Sequence, residues 1–125
     1  MISFDLQTTI YNILKKLPYA VYDYVTKNAE CPYIQIGTSY GGDDSTKTNL
    51  GYKDYQYIDI YSRYQGKKEV SQIMQQVNEL LQNKKFTVGN KQIFLYLDKS
   101  KILEQKDEVG KYNHGILIYK ILTKG

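Results

Sequence analysis

Residues 55–83, YQYIDIYSRYQGKKEVSQIMQQVNELLQN, decide the fold because two different hydrophobic periods meet in them. The first eight residues, Tyr55 to Ser62, alternate strictly and predict a half-buried strand. Its isoleucines, Ile58 and Ile60, face one way. The opposite side carries a different set of residues: Tyr55, Tyr57, Asp59 and Tyr61.

The second period predicts a helix from about Lys67 to Asn83. Apolar residues recur there at steps of three and four: Val70, Ile73, Met74, Val77, Leu80 and Leu81. The residues between them are good helix formers, so the helix should present one apolar face to a sheet. Gly66 separates the strand from this helix and permits a backbone bend that a side chain would obstruct.

The residues before this stretch predict a first helix and two strands. Apolar residues at helical spacing run from Ile2 to Leu17, with Ser3 placed to cap the helix and Pro18 to stop it. An extended run at 21–25 follows, and alternation from Tyr33 to Thr38 predicts a further strand.

The residues after the second helix predict two or three strands. Residues 86–88 precede a Gly89-Asn90 turn and a strand at 92–98, and Tyr112 to Thr123 closes the chain. Because the last segment is apolar on both faces, we expect it in the middle of the sheet. The charged residues 98–111 predict a short helical turn or an irregular connection.

This element order predicts one α+β domain over residues 1–125, with two helices packed on a mainly antiparallel sheet. A chain of 125 residues has the length of one domain. Its apolar runs are too short to span a bilayer, and no basic segment is followed by an apolar stretch at the start. We therefore expect no membrane partner and no signal peptide, with synthesis in the cytoplasm.

The charge and the aromatic content of the chain indicate which classes of partner it could bind. The formal net charge is +4, the lysines are interspersed with acids, and Arg63 is the single arginine, a pattern that argues against a specific nucleic-acid reader. Fourteen tyrosines stand out. Tyrosine-bearing strands fit a protein interface, an ordinary sheet, or a surface that stacks single-stranded nucleic acid.

Candidates for chemistry are few. Cys31 and His114 occur once each, so a two-histidine metal site cannot form, and an enzyme built on these two residues is a remote alternative. The pattern favours Cys31 as a half-buried hydrophobe and His114 as a turn residue. Asp43 and Asp44 lack the spacing of a calcium loop, and the glycines lack that of a phosphate loop. We expect no cofactor and no metal.

Four segments in fixed order resemble the tail-completion, or tail-to-head joining, family of siphophages. They are Val21–Val25 (VYDYV), Cys31–Gly37 (CPYIQIG), Thr46–Thr48 (TKT) and Ile60–Gly66 (IYSRYQG), the last followed by Glu69-Val70 and the second helix. The resemblance covers roughly the first two-thirds of the chain.

The resemblance implies a tail-terminator-like fold and a structural virion protein without a catalytic site. Such a subunit would cap the tail tube as a ring, expected to be hexameric, and would join it to the head. The implied partners are further copies of the chain, the tail tube protein and the head-completion or connector protein. A monomer in solution is compatible with this role. The implied location is the tail end or neck of the virion, assembled in the host cytoplasm.

The resemblance also points to assembly residues. Thr46 and Lys47 fall in the aperiodic segment 41–53, which we interpret as a mobile loop that either orders on assembly or stays solvated. Arg63 either forms an ion pair across a subunit boundary or belongs to a local arrangement before the helix. The expected interface residues are Asp43, Asp44, Thr46, Lys47, Tyr52, Lys53, Tyr61 and Arg63.

Two alternatives remain beside tail completion. A head-completion or stopper protein of the same neck would contact the portal side instead of the tail tube. A nucleic-acid-binding module would use the tyrosine surface and would show salt-sensitive binding.

Overall fold

The computed structural model describes residues 4–24, 29–40 and 54–124. The expected cap at Ser3, the end of the 21–25 run and the 41–53 loop lie outside these residues. The elements in chain order are α1 (Phe4–Leu14), β1 (Ala20–Tyr22), β2 (Tyr33–Tyr40), β3 (Asp54–Ser62), α2 (Lys68–Leu81), β4 (Lys85–Val88), β5 (Lys91–Lys106) and β6 (Lys111–Lys124).

The strands form a six-stranded sheet in the order β1-β2-β3-β6-β5-β4. Only β1 and β2 run parallel; the other neighbours are antiparallel. The structure thus confirms an α+β fold with a mainly antiparallel sheet. It also confirms the central position of β6, which lies between β3 and β5.

Both helices pack on the same face of the sheet. In β3 the residues Ile58 and Ile60 belong to the core together with the buried residues of both helices, so the predicted alternation is confirmed. The buried helical residues are Leu6, Ile10, Leu14, Val70, Ile73, Met74, Val77 and Leu81. Burying this apolar surface supplies most of the driving force for folding.

The first helix ends earlier than its apolar period. It stops at Leu14, and Leu17 N–H then donates to Leu14 O at 2.9 Å, a tighter turn that closes the helix. Pro18 disfavours helical geometry at the residue before it. Leu17 still packs against the core, so the apolar spacing marks burial beyond the end of the helix.

A buried glutamine supports an irregularity in β2. The pairing of β2 with β3 shifts between Ile36 and Ser39. Gln56 is fully buried on β3, and its Nε2 donates to Gly37 O at 3.1 Å and to Tyr57 O at 2.9 Å. The side chain therefore satisfies the Gly37 carbonyl where the strand ladder is interrupted.

The prediction for residues 98–111 was wrong. β5 continues to Lys106 and pairs with β6 down to Lys106 opposite Lys111, after a bulge between Leu97 and Lys99. The turn comes only at Asp107, whose N–H donates to Gly110 O at 3.0 Å. The sequence of this segment resembles a connection because its side chains are mostly polar and, in the fold, exposed. It is a strand because its backbone pairs with β6.

Within the described ranges, no helix has the length and apolar character needed to cross a membrane.

Candidate assembly interface

The face of the sheet opposite the helices is covered by no helix or strand of the part of the chain that the structure describes. We call it the open sheet face. Its side chains come from alternate positions of four strands: Tyr33, Gln35, Tyr57, Asp59, Tyr61, Tyr112, His114, Ile116, Ile118, Lys120, Tyr96, Lys99, Lys101 and Leu103. Ile116 and Ile118 are only 8% and 9% exposed. The face is therefore partly apolar, and no helix or strand of the described residues forms a second layer over it.

A row of stacked rings crosses one end of this face. Tyr33 lies opposite Tyr61 and Tyr61 lies opposite His114 in the strand register. Their ring centroids are 4.9 Å and 4.4 Å apart, and Tyr22 meets Tyr33 edge to face at 5.5 Å. We call Tyr22, Tyr33, Tyr61 and His114 the aromatic row. Such cross-strand pairs stabilise a sheet and hold the rings in fixed orientations.

An acidic side chain is held beside this row. His114 Nε2 lies 2.8 Å from Asp59 Oδ1, and both side chains are 15% exposed. A Cβ on Gly37 would collide with the Asp59 carboxylate, so the carboxylate occupies the space that a side chain at Gly37 would need. The collision gives a specific structural reason for a glycine at position 37. His114 lies within β6 and not in a turn, so that interpretation was wrong.

Arg63 extends from the end of β3 to the β5–β6 turn. Its Nη2 forms an ion pair with Asp107 Oδ2 at 2.5 Å, and its guanidinium carbon lies 5.2 Å from the centre of the Tyr112 ring. The bond with Arg63 lowers the pKa of Asp107, and Gly110 and Val109 N–H groups lower it further. Within one chain, Arg63 thus fixes the turn; a role across a subunit boundary stays a prediction.

The junction between β3 and α2 is a separate polar cluster. Ser62 is fully buried; its hydroxyl donates to Glu69 Oε1 at 2.6 Å and accepts from Tyr64 N–H at 3.2 Å. Gly66 has a φ of 84°, which favours glycine, and Asn113 Nδ2 donates to its carbonyl at 2.7 Å. Ser62 therefore supports this turn inside the subunit.

Cys31 and His114, the remote alternative for an enzyme, have different contacts in the structure. Cys31 lines a depression of about 200 Å³ with Arg63 and tyrosines of the open sheet face. Burial raises the pKa of the Cys31 thiol, which disfavours the thiolate needed for a nucleophile. His114 is bonded to Asp59. Among residues 4–24, 29–40 and 54–124, no group of three or more His, Cys, Asp or Glu is placed to hold a metal ion.

Two of the expected interface residues fall in described parts of the chain, and the structure brings them to one end of the sheet. Tyr61 is in the aromatic row, and burial raises its pKa to about 12. Arg63 lies beside it at the β5–β6 turn. The other six lie outside the described residues: Asp43, Asp44, Thr46, Lys47, Tyr52 and Lys53.

Sequence reasoning missed the partners of Tyr61 on this face. Tyr33 and His114 come from β2 and β6, and only the strand register places them beside Tyr61. The alternation of β3 already separates Asp59 and Tyr61 from the core. No signal in one sequence gives the register, because every alternating strand can pair at several offsets.

Comparisons with known proteins bear on the family and the fold of the chain. The family model described as Tail completion protein gp17 matches residues 10–124. A chain of the solved structure "Virion of native gene transfer agent (GTA) particle" superposes with a TM-score of 0.77 and 19% identity, covering 96% of this chain and 95% of that chain. At that identity the likeness shows a shared fold. No curated protein matches the sequence.

Proposed function

The chain belongs to the tail completion protein gp17 family, and we propose that it caps a phage tail tube as a ring and presents the joining surface for the head connector. In this proposal it is a structural subunit of the virion neck without catalytic activity. The observation that carries the proposal, beside the family, is the open sheet face. A partly apolar, tyrosine-bearing face that no helix or strand of the described residues covers fits a surface that is buried on assembly.

The composition of the open sheet face supports a protein partner. Interfaces are enriched in tyrosine and depleted in charge at their centre, with charges at the rim. Here Ile116 and Ile118 lie in the middle of the face, the aromatic row lies at one end, and Lys99 and Lys101 lie along one side. A partner that extended from the centre over the aromatic row would bury rings already held in place, so little side-chain entropy would be lost.

A ring needs two different patches on each subunit. A heterologous contact joins one patch of a subunit to another patch of the next, and the ring closes when the rotation per subunit divides a full turn. Six subunits would match a six-fold tube and stop its growth by presenting a different outer face. Weak contacts between free subunits would keep the protein monomeric until it meets the tail.

The first test is electron microscopy of particles assembled with and without this protein. We expect separated heads and tails, or tails of abnormal length, in its absence, and normal particles when the wild-type protein is added back. Normally joined particles without the protein would contradict the proposal.

Matched variants test the open sheet face in the same assay. Tyr61→Lys places a charge in the aromatic row and should prevent restoration. Tyr11→Lys is the control, because Tyr11 is a 39% exposed tyrosine on α1, in the helix layer. Both proteins should be folded by circular dichroism. If both variants restored normal particles equally well, the open sheet face would not be the assembly surface.

A head-completion or stopper role in the same neck is the alternative. Immobilised protein should retain the purified tail tube protein if it completes the tail. Retention of a portal-side protein and not of the tube protein would favour the stopper role.

A further inference from the structure

We infer that β5 carries a free strand edge that accepts an extended acidic segment of a different protein by β-strand addition. This inference goes beyond the proposed function. It concerns the outer edge of β5, where a further strand could be added beside the sheet. The edge runs from Lys99 to Lys106, the part of β5 that continues past β4.

The first half of β5 is covered on its outer side. β4 pairs with it from Lys91 to Phe94. The two following outward groups are also satisfied: Asn83 N–H donates to Leu95 O at 2.9 Å, and Leu97 N–H donates to Gln82 Oε1 at 2.7 Å. Between the end of the β4 ladder and Leu97, then, residues next to α2 bond the outward Leu95 carbonyl and the outward Leu97 N–H.

Beyond Leu97 this cover ends. Residues 99–106 pair with β6 on one side, and no strand in the described ranges lies on the other. In an antiparallel edge strand, the N–H and C=O of alternate residues point away from the partner. The Leu97 groups point outward, and the extra residue at the bulge shifts the alternation by one. Ser100, Ile102 and Glu104 therefore direct their backbone groups to the open side.

The side chains beside this edge specify the occupant. Lys99, Lys101 and Leu103 lie on the open sheet face, opposite Ile118, Ile116 and His114 of β6. A strand added next to β5 would place its own side chains beside these three. Carboxylates beside the two lysines and an apolar residue beside Leu103 are the favourable cross-strand pairs. The occupant should thus carry acidic residues at two alternate positions and an apolar residue at the next.

A second copy of this chain does not supply that pattern. None of its 125 residues forms an acidic pair two positions apart, since the aspartates and glutamates are adjacent or at least three apart. Lysines along an edge also discourage pairing between identical edges. The charge pattern therefore selects a different protein and works against indiscriminate self-association.

Hydrogen exchange of the full chain tests the inference. The probe is a short threonine-rich peptide with glutamates at two alternate positions and leucine at the next, made in both chain directions because either strand orientation is possible. We expect the peptide to slow exchange at the amides of Ser100, Ile102 and Glu104. A peptide with lysines in place of the glutamates is the control and should give no protection.

Two sets of variants separate strand addition from a simple charge effect. Ser100→Pro removes an outward N–H that β6 does not use, so the fold should persist while peptide binding weakens about tenfold. Ser100→Ala keeps the N–H and should bind like the wild type. Lys99→Glu with Lys101→Glu should reverse the preference, so that the lysine peptide protects the same amides.

Unchanged exchange at these three amides in the presence of the acidic peptide would overturn the inference. So would equal peptide binding by the Ser100→Pro and Ser100→Ala proteins, or an unreversed preference in the double variant. Protection of the edge by a DNA duplex but not by the acidic peptide would assign the lysines to nucleic acid instead. Because these experiments use the isolated chain, their result is independent of the particle assembly assay.

Discussion

The two faces of β3 are stabilised in different ways, although their residues alternate along one strand. On the helix side, Ile58 and Ile60 are fully buried under α1 and α2. On the open sheet face, Tyr57, Asp59 and Tyr61 keep part of their surface in solvent and contact mainly their neighbours in adjacent strands. One face depends on a second layer, and the contacts described on the other are lateral ones between neighbouring strands.

Tyrosines show the same difference. Tyr119 points into the core, is fully buried, and donates its hydroxyl to Asn78 Oδ1 at 2.7 Å. Burial raises the pKa of Tyr119 far above its ordinary value, whereas the half-buried Tyr61 has a pKa of about 12. The open sheet face keeps part of its surface in solvent in the free subunit. Replacing that water by a partner requires less free energy than opening the packed core.

The largest effect should come from a cavity on the helix side. Ile58→Ala should lower the free energy of unfolding by about 2–5 kcal/mol, because the site is fully enclosed and cannot collapse easily. Tyr57→Ala, the neighbouring change on the open sheet face, should cost about 1 kcal/mol. Urea unfolding of both proteins measures the two values. Equal losses would show that something covers the open sheet face in the isolated chain.

Substitution of two glycines, one on each face of the sheet, should give losses of stability between these extremes. A Cβ at Gly115 would lie 2.6 Å from Met74 Sδ and 2.9 Å from Val70 Cγ2, so Gly115→Ala should cost about 1–3 kcal/mol by crowding α2. At Gly37 the closest approach of a Cβ is to the Asp59 carboxylate, a side chain that can rotate towards solvent, while Tyr57 Cβ and O lie at 3.3 Å. We expect a loss of about 1 kcal/mol, measured by urea unfolding.

The cause at Gly37 can be isolated by a double-mutant cycle. Asp59→Ala should cost less in the Gly37→Ala protein than in the wild type, because the bond to His114 is already broken there. Additive losses would mean that the collision with Asp59 is not what restricts position 37.

The smallest effect concerns the exposed turn between β5 and β6. The folded pKa of Asp107 is lowered, chiefly by Arg63, so the unfolded chain takes up the proton at a higher pH than the folded one. The stabilisation is therefore present above about pH 4, the ordinary range of an aspartate, and is lost as the pH falls through the lower folded pKa.

Asp107→Asn removes the charge and keeps an oxygen for the Val109 and Gly110 amides. The variant should unfold at a slightly lower urea concentration than the wild type at pH 7, and the gap should close at acid pH. A gap that persists at pH 2 would attribute the effect to the shape of the turn and not to its charge.

Several elements were predictable because their periods are strong. The alternation of β3 and the helical spacing of α2 were confirmed almost to the residue, and the apolar character of β6 correctly placed it in the middle of the sheet. The second half of β5 was missed because a solvated edge strand has no apolar alternation to reveal it. His114 was misplaced for a related reason, since the flanking Asn113 and Gly115 have the composition of a turn.

For the candidate interface, Tyr61 and Arg63 could be named from the sequence, but not their contacts. Arg63 pairs with Asp107, more than forty residues away along the chain, through a turn that was expected to be irregular. The aromatic row depends on residues of four strands coming into register.

By itself, the sequence determined which residues share a face and the order of helices and strands along the chain. These features are local, because a helical or extended backbone repeats its burial pattern over a few residues. Only the tertiary structure decided that both helices lie on one side, that Asp59 meets His114, and that β5 continues along β6 past the end of β4. Those features depend on strand order and register, which are selected by the packing of the whole core and not by any single segment.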